Sequence, residues 1–303
     1  MIHALTIDVE DYHSVTARDW QKGDGRPTRA VVENTQRLLA CLADHSVRAT
    51  FFVLGEVAET FPELIREIAA AGHELGVHGY YHRQVFKLTP EGFRREVEPA
   101  KKLIEDITGT ATEGHRAPAF SIMPETRWAL EVLVDLGFRY DSSVFPIKGR
   151  RYGWPEFPLD IHEMQLSGGR TIVEAPMTPV VLFGKRLPAC GGGYFRHFPA
   201  AYTQWALRRI GRERPAIVYL HPYEIETTCP AQLDASMLSV EEARRFHRMH
   251  AMQMRNRETV EPKLRAILSR NQFGPLGEVI ARALPARREA LVTAECGRPS
   301  AVN

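Results

Sequence analysis

Short apolar runs alternate along this chain with amphipathic helical patterns, and this alternation is typical of βα units that build a parallel sheet. Seven of the runs have the length and the content of β-branched and aromatic residues that buried strands need. They lie at residues 3–8, 49–54, 73–78, 112–116, 138–141, 171–175 and 216–221. The pattern therefore predicts an α/β fold with mainly parallel strands.

The clearest helical pattern runs from Thr89 to Thr108. Thr89 is a suitable N-cap, Pro90 follows at the first helical position, and apolar residues then recur at helical spacing. Gly109 is a typical helix stop. Three further helices are predicted to end in the same way, at Gly72, Gly137 and Gly211.

The length of 303 residues and a hydrophobic content of 44% suit one large α/β domain with a sizeable core. We expect this domain to cover residues 1–285 and residues 286–303 to form a loose tail. Residues 239–269 are predicted to be an extended helical stretch. Within it Phe246, Met249 and Met252 recur at helical spacing and are expected to be core contacts.

The charge and the cysteine content argue against several classes of function. A formal net charge of +2 creates no strong field, so nucleic acid is not expected as a partner. Cys41, Cys190, Cys229 and Cys296 have no C-x-x-C spacing, which argues against a thiolate zinc site and a disulfide framework. With no membrane-spanning run and no signal-like N-terminus, the sequence predicts a soluble, cytoplasmic protein with free thiols.

Polar residues recur where the predicted strands end. Asp8, His78, Arg116, Asp141 and His221 all lie at or just beyond the C-terminal ends of predicted strands. In barrels of parallel strands that end carries the active site. We therefore expect these five side chains to share one site.

Two histidines spaced four apart, His78 and His82, and the acidic cluster at the end of the first strand form a candidate metal site. Two imidazoles and one carboxylate are the ligand set of many catalytic zinc sites. Because side chains alternate along a strand, Asp8 and Glu10 share a face, which favours Glu10 as the ligand and Asp8 as a base. Asp11 remains an alternative ligand, since the strand is ending there.

The order and spacing of these motifs over residues 3–270 resemble the polysaccharide deacetylase superfamily, also called the NodB-homology or carbohydrate esterase family 4 group. The resemblance is greatest to the branch encoded with exopolysaccharide and export loci. It implies a distorted (β/α)7 barrel and metal-dependent hydrolysis of the N-acetyl amide of an N-acetylhexosamine unit, releasing acetate. The sugar would belong to a polysaccharide or its biosynthetic precursor. Zinc is the expected metal, with cobalt, nickel or iron as alternatives.

The resemblance also assigns the metal ligands and the base. Asp8 corresponds to the catalytic base, and Glu10 corresponds to the carboxylate ligand, although this family usually has two adjacent aspartates. His78 and His82 correspond to the two histidine ligands. Gly79 stands where the family has a hydroxyl residue.

The remaining motifs supply the other catalytic roles that the resemblance implies. Arg116 corresponds to the arginine that pairs with Asp8 and holds it ionised, and the backbone N–H of Ala119 would help to bind the oxyanion. His221 corresponds to the general acid. Asp141 corresponds to a motif aspartate expected to hold the ring of His221, but the tryptophan of that motif is missing here.

A glycine-rich segment at residues 190–196 is a candidate substrate loop, in which Tyr194 would stack on a sugar and Arg196 would offer a charge. A flexible connection is an equal alternative. Trp154 would stack on a sugar or pack in the core.

Two other functions compete with the deacetylase. One is a catalytically silent carbohydrate-binding or assembly protein, which would not need to retain Asp8 and His221. The other is a metal-free amidohydrolase on the same barrel, which would not need Glu10 and both histidines.

Overall fold

The computed structural model of the protein describes residues 1–20, 25–149, 152–228 and 238–284. The strands in these ranges are β1 (Ile2–Val9), β2 (Thr50–Val53), β3 (Glu74–Val77), β4 (Gly114–His115), β5 (Tyr140–Asp141), β6 (His162–Gln165), β7 (Thr171–Glu174), β8 (Pro179–Leu182), β9 (Lys185–Pro188), β10 (Ile217–Leu220) and β11 (Gln272–Gly274). The helices are α1 (Tyr12–Trp20), α2 (Arg29–Asp44), α3 (Gly55–Thr60), α4 (Pro62–Ala70), α5 (Pro90–Thr108), α6 (Trp128–Asp135), α7 (Gly192–His197), α8 (Ala200–Ile210), α9 (Val240–Met254), α10 (Val260–Leu268) and α11 (Leu276–Ala283).

The central sheet contains all seven strands predicted from the sequence. They are hydrogen-bonded in the order β10-β1-β2-β3-β4-β5-β7, and every pairing along this path is parallel. β6 extends the sheet antiparallel to β7, and β11 lies parallel beside the start of β1. The α/β fold with a mainly parallel sheet is confirmed. Within the described ranges no ladder joins β7 to β10, so closure of the expected seven-stranded barrel is not detected.

The register divides the sheet into two faces because side chains alternate along each strand. One row across the sheet begins at Val9 and continues through Val53 and Val77 to His115 and beyond. Its apolar members pack with the helices in the larger hydrophobic core. This row therefore faces the helical layer.

The neighbouring row begins at Asp8 and continues through Phe52, Gly76 and Gly114 to Tyr140. Phe52 and Tyr140 belong to a second, smaller core on the other face of the sheet. Asp8 therefore points into the interior that the curved sheet surrounds, and not towards the helices.

Helix α5 forms with the caps that the sequence predicts. The hydroxyl of Thr89 accepts a hydrogen bond from the Gly92 N–H at 3.1 Å, which satisfies one of the free donors of the first turn. Gly109 follows the helix with φ of 66°, a left-handed conformation that costs a glycine little. The predicted helix ends at Gly72, Gly137 and Gly211 also lie within two residues of helix termini.

The C-terminal helical stretch consists of two helices, α9 and α10, and not of one continuous helix. Asn256 separates them in a left-handed conformation with φ of 62°. Phe246 is buried as expected, but the expected burial of Met252 is wrong because its side chain is 55% exposed. No glycine or proline marks the break, so the periodic pattern alone could not reveal it.

Several predictions fall outside the described residues, namely the tail at 286–303 and the state of Cys229 and Cys296. Cys41 and Cys190 are free and buried. Among the described residues, no helix has the length and apolarity that crossing a membrane requires.

Candidate active site and metal centre

A cavity of about 990 Å³ opens at the C-terminal ends of the central strands. Asp8, Glu10, His78, His82 and His221 all line it, so the structure brings these five predicted side chains together. Aromatic and methionine side chains form much of the remaining wall: Tyr12, Trp20, Phe86, Phe120, Tyr152, Tyr194, Tyr219, Tyr223, Met249 and Met252. The arrangement is a buried polar centre within a largely apolar cleft, which is typical of small-molecule sites.

Glu10 lies between the two histidines of the predicted metal site. Its Oε1 is 2.9 Å from Nε2 of His78 and 3.2 Å from Nε2 of His82. One ligand atom from each of these three buried residues lies within 4.8 Å of the others. Their positions therefore match the ligand set of two imidazoles and one carboxylate.

The hydrogen bonding of His78 indicates what this cluster holds. Its Nδ1 faces the Arg116 carbonyl at 2.8 Å, and a carbonyl only accepts, so Nδ1 carries a proton. In the neutral ring, Nε2 is then an acceptor and faces another acceptor, Oε1 of Glu10. A metal ion resolves such a pairing because both atoms are electron-pair donors. The residues present therefore fit a divalent metal.

Electrostatics around His82 lead to the same fit. Burial lowers the pKa of His82, but the charge of Glu10 and the nearby Asp19 raise it to about 10. The pKa of Glu10 lies well below its usual range because the charges of His82 and His221 outweigh the effect of burial. In the absence of a metal, the cluster thus keeps a compensating proton on His82, and a metal cation would take the place of that proton.

Asp11 points away from this cluster. Its Oδ2 accepts a hydrogen bond from the Ser14 N–H at 3.0 Å, and its Oδ1 accepts one from the Thr28 hydroxyl at 2.8 Å. The first contact makes Asp11 an N-cap of helix α1. Of the two carboxylates left open by the sequence, the geometry favours Glu10 as the ligand.

Asp8 is paired with Arg116, as the resemblance implies. Nη1 of Arg116 donates to Oδ1 of Asp8 at 2.8 Å, and both side chains are buried. The guanidinium also donates to the Thr6 hydroxyl at 2.7 Å and to the Ser142 carbonyl at 3.0 Å, and it stacks 4.4 Å from the ring of Phe52. These contacts fix the arginine, which then fixes one oxygen of Asp8 and leaves the other facing the cavity.

His221 extends its Nε2 towards the same centre, 3.9 Å from Oδ2 of Asp8 and 3.7 Å from Oε1 of Glu10. Its Nδ1 lies 3.0 Å from Oε2 of Glu224, and its ring stacks on Tyr223. Burial lowers the pKa of His221, but the charges of Glu10 and Glu224 and the hydrogen bond to Glu224 raise it to about 9. The ring is therefore protonated at neutral pH in the metal-free protein.

The prediction that Asp141 holds His221 is wrong. Asp141 instead lies 2.7 Å from Nδ1 of His115 and accepts from the Ser143 hydroxyl and N–H. His115 and Asp141 are register partners in neighbouring strands, so they share the face of the sheet that is covered by helices. Asp141 does end a strand as predicted, but on the side opposite the cavity.

A second buried carboxyl adjoins this pair. Glu174 is the register partner of Asp141 on β7 and accepts a hydrogen bond from the Val144 N–H at 2.9 Å. Burial and the charge of Asp141 raise the pKa of Glu174 well above its usual value. Glu174 and Asp141 thus lie together on the face of the sheet that is covered by helices, away from the cavity.

The candidate substrate residues are placed differently from one another. Tyr194 lines the cavity, and its hydroxyl lies 3.2 Å from that of Tyr152. Ala119 also lines the cavity and has a left-handed backbone with φ of 54°. The expectation that Arg196 offers a free charge is wrong, because its buried guanidinium already pairs with Glu224 at 2.8 Å. Trp154 packs against the hydrophobic core, and its ring lies 4.8 Å from that of Phe157.

Three features of the site are not predicted from the sequence. They are the role of Glu224, its pairing with Arg196, and the position of Asp19 beside His82. A short 3-10 turn at Pro222–Ile225 returns Glu224 to His221, and residues three apart eclipse in such a turn. The signal was a His-Pro-x-Glu sequence directly after a buried strand. Proline at the first position of the turn and an acidic residue three positions after the histidine together predict this contact.

Two family models match two different parts of the chain. Residues 23–140 match a family model described as polysaccharide deacetylase, and residues 142–281 match a model described as a domain of unknown function (DUF3473).

Two relatives and one solved structure extend this likeness. The peptidoglycan-N-acetylglucosamine deacetylase of Bacillus cereus is 35% identical over 101 residues, which cover 33% of this chain and 37% of that protein. A peptidoglycan deacetylase of Helicobacter pylori is 36% identical over 108 residues, which cover 36% of each. The chain thus spans little more than a third of the length of these relatives. A crystal structure from Mycobacterium smegmatis, named as a candidate polysaccharide deacetylase, shares the fold with a TM-score of 0.60 and 18% identity, covering 100% of this chain and 93% of that one.

Proposed function

Because the chain carries a polysaccharide deacetylase domain, we propose that it is a metal-dependent N-deacetylase of carbohydrates. It hydrolyses the N-acetyl amide of an N-acetylhexosamine unit and releases acetate. The observation that carries the proposal is the buried cluster of Glu10, His78 and His82, beside which Asp8 and His221 both face the cavity.

Glu10, His78 and His82 hold the metal in this proposal. A bound divalent ion, most simply zinc, supplies a Lewis acid for the acetyl carbonyl and lowers the pKa of a water. Cobalt, nickel or iron suit the same donor atoms. The His78 contact to the Arg116 carbonyl at 2.8 Å supports this assignment, since it orients the ring so that Nε2 faces the centre.

Asp8 acts as the general base. Its Oδ1 is held by Arg116, so its second oxygen is left to accept a proton from the attacking water. His221 acts as the general acid and gives the proton on Nε2 to the nitrogen of the leaving amine. The new C–O bond and the broken C–N bond then yield acetate and the free amine. The position of Nδ1 of His221, 3.0 Å from the Glu224 carboxylate, suits this role, because a neighbouring carboxylate favours the protonated ring and the acid must be protonated before the reaction.

A sugar substrate suits the cavity wall. Tyr12, Phe120, Tyr194 and Tyr223 line the cavity close to the polar centre, and aromatic side chains commonly pack against the apolar sides of sugar rings. The relatives named as peptidoglycan deacetylases support an N-acetylated glycan as the substrate class. A biosynthetic precursor in a cytoplasmic exopolysaccharide pathway stays a prediction.

The proposed domain organisation is a single domain over residues 1–285. Pairing of β5 with β7 crosses the boundary between the two family matches, and β1, which precedes both, pairs with β2 in the first match and β10 in the second; this supports one shared sheet. Limited proteolysis tests it, since one domain should resist cleavage near residue 141 in the absence of denaturant.

The test of the function is acetate release from N-acetylglucosamine oligomers and nucleotide-linked N-acetylhexosamines. The protein is assayed as purified, after chelation, and after metal is restored. Release that disappears on chelation and returns with metal supports the proposal. Release that survives chelation favours the metal-free amidohydrolase, whereas sugar binding without release by the metal-loaded protein favours a silent binding role.

A further inference from the structure

We infer that the region matching the domain of unknown function, residues 142–281, is the proton-donating half of the active site, in which Glu224 and Arg196 position His221. The inference rests on the proposed deacetylase function. It gives Glu224 the part that the resemblance implies for Asp141. It also gives the glycine-rich segment at 190–196 a role in supporting the acid, which differs from the substrate loop predicted from the sequence.

The two regions contribute different chemistry to one cavity. The candidate ligands and base, Glu10, His78, His82 and Asp8, precede residue 140 in the chain. His221 lies within 142–281, as do the side chains that contact its ring at Nδ1 and on its stacked face or that support Glu224: Arg196, Tyr223, Glu224 and Gln253. The second region therefore supplies the proposed general acid to a cavity whose candidate ligands and base come from earlier in the chain.

Both oxygens of Glu224 are engaged in holding His221 in place. Oε2 accepts from the His221 backbone N–H at 3.2 Å and lies 3.0 Å from Nδ1 of its ring. Oε1 accepts from Nη1 of Arg196 at 2.8 Å. The Glu224 and Arg196 side chains are 1% and 2% exposed, so water does not weaken these contacts.

Arg196 is itself fixed from two sides. Its Nη2 donates to Oε1 of Gln253 on helix α9 at 3.0 Å. Helix α7, which carries Arg196, lies close to β10 because Gly191 and Gly192 leave room for Tyr219. A Cβ atom on Gly191 would lie 2.2 Å from the Tyr219 ring, and one on Gly192 would lie 2.7 Å from it. The glycines thus permit the close approach that brings Arg196 to Glu224.

This geometry fixes which ring nitrogen reacts. An ionised carboxylate only accepts, so Nδ1 of His221 must donate to Glu224 and keeps its proton. Burial raises the pKa of Glu224, but the hydrogen bond and charge of His221 and the charge of Arg196 lower it below its usual value. Nε2 is then the nitrogen that gives up a proton, and it faces Asp8 and the cavity. Glu224 is therefore a positioning residue, because it acts through His221.

The decisive variants are Glu224→Gln and Glu224→Asp, with Glu213→Gln, in the exposed turn after α8, as a matched control. Glu224→Gln removes the charge and offers an N–H₂ group to Nδ1 or to Arg196, so kcat should fall about 100-fold with little change in KM. Glu224→Asp keeps the charge and should recover part of the loss. Metal content should stay at the wild-type level, because no candidate ligand has been altered.

A double variant separates positioning from general damage to the fold. If Glu224 acts through His221, Glu224→Gln should cause no further loss of kcat in a His221→Ala background. Independent losses that multiply would overturn the inference. Arg196→Lys cannot make the same pair of contacts, so it should lower kcat, by less than Glu224→Gln does. Arg209→Lys, at an exposed position on α8, should leave kcat unchanged.

A spectroscopic measurement covers the case in which Glu224→Gln does not fold. In ¹⁵N-histidine spectra of the wild-type zinc-loaded protein, Nδ1 of His221 should carry a proton because it faces the Glu224 carboxylate at 3.0 Å, with His221→Gln used to assign the signal. A neutral ring protonated on Nε2 would overturn the inference. Wild-type protein without metal-dependent acetate release would instead contradict the proposed function, whereas active wild type with an unchanged Glu224→Gln would contradict only this inference.

Discussion

Nη1 of Arg116 lies 2.8 Å from Oδ1 of Asp8, and the two side chains are 0% and 2% exposed. This contact joins β1 to the loop after β4 inside the curved sheet. It satisfies two charges that would otherwise be buried alone, and loss of one partner from such a pair is far costlier than loss of an exposed pair. The pair should therefore stabilise the fold as well as orient the proposed base.

Arg116→Gln should lower the free energy of unfolding by about 3–5 kcal/mol, because Asp8 is left buried without its cation. Urea unfolding measures the change. The control is Arg139→Gln, which breaks an exposed pair with Glu113 at 3.3 Å and should cost at most about 1 kcal/mol. Equal losses in the two variants would show that the buried pair adds no special stability.

His78→Ala and Asp8→Asn should separate the proposed ligand from the proposed base. His78→Ala removes Nε2, which lies 2.9 Å from Glu10, and should lose both metal and turnover. Asp8→Asn should keep the metal and lose about 100-fold or more in kcat, because an amide does not accept the proton of the attacking water. Metal analysis and acetate release are measured on the same samples. Equal metal loss in both variants would contradict the division of roles.

Glu10→Gln and Asp11→Asn should differ in kind although the residues are adjacent. Glu10→Gln should sharply reduce metal occupancy, because Oε1 lies between both histidine nitrogens. Asp11→Asn should retain the metal and change stability by at most about 0.5 kcal/mol, since asparagine caps a helix about as well as aspartate. Metal titration and thermal unfolding measure the two effects. Metal loss confined to Asp11→Asn would reverse the assignment.

Asp141→Asn should affect stability and not catalysis. It weakens the contacts to His115 and Ser143 on the helical face, and we expect a loss of about 1–3 kcal/mol. The kcat of the folded variant should remain within about threefold of wild type, because the hydrogen-bond partners of Asp141, His115 and Ser143, are not among the residues that line the cavity. Asp135→Asn, an exposed change, is the stability control. A large kcat defect in stable Asp141→Asn would restore Asp141 to the catalytic machinery.

The sequence was sufficient to predict the strands of the central sheet because each is a short apolar run between helical patterns. It was also sufficient to locate Asp8, His78 and His221 at one end of that sheet. It could not predict β6 or the hairpin of β8 and β9. Short strands at the edge of a sheet bury few side chains, so their sequences do not show a clear pattern of apolar residues.

The error at Asp141 has a specific physical cause. A position at the end of a strand fixes the edge of the sheet on which a residue lies, but the face depends on register with the neighbouring strands. Asp8 aligns with Phe52 and Gly76, whereas Asp141 aligns with His115 in the alternate row. One residue of offset thus separates an interior side chain from one under the helices. Register of this kind depends on long-range pairing, which local sequence patterns do not encode.

The stability of the metal-free protein should fall as the pH rises from about 6.5 to about 10. The pKa of His82 is raised from 6.5 to about 10 by Glu10 and Asp19, despite burial. A group with a raised pKa in the folded state contributes its full stability below the unfolded value and loses it as the pH passes the folded value. Deprotonation of His82 therefore removes one of the two positive charges, those of His82 and His221, that compensate Glu10.

Thermal unfolding of chelated protein at about pH 6, 8 and 10 measures this dependence. His82→Gln should reduce the slope over this window and leave the part contributed by His221, whose pKa is raised to about 9, and exposed His247→Gln should leave the slope unchanged. Metal-loaded protein should show a shallower slope than chelated protein, because a coordinated Nε2 is no longer available to a proton, and metal affinity should rise with pH. A chelated protein whose stability is constant from about pH 6 to 10 would contradict the proton on His82, and with it the argument that the metal takes that proton's place.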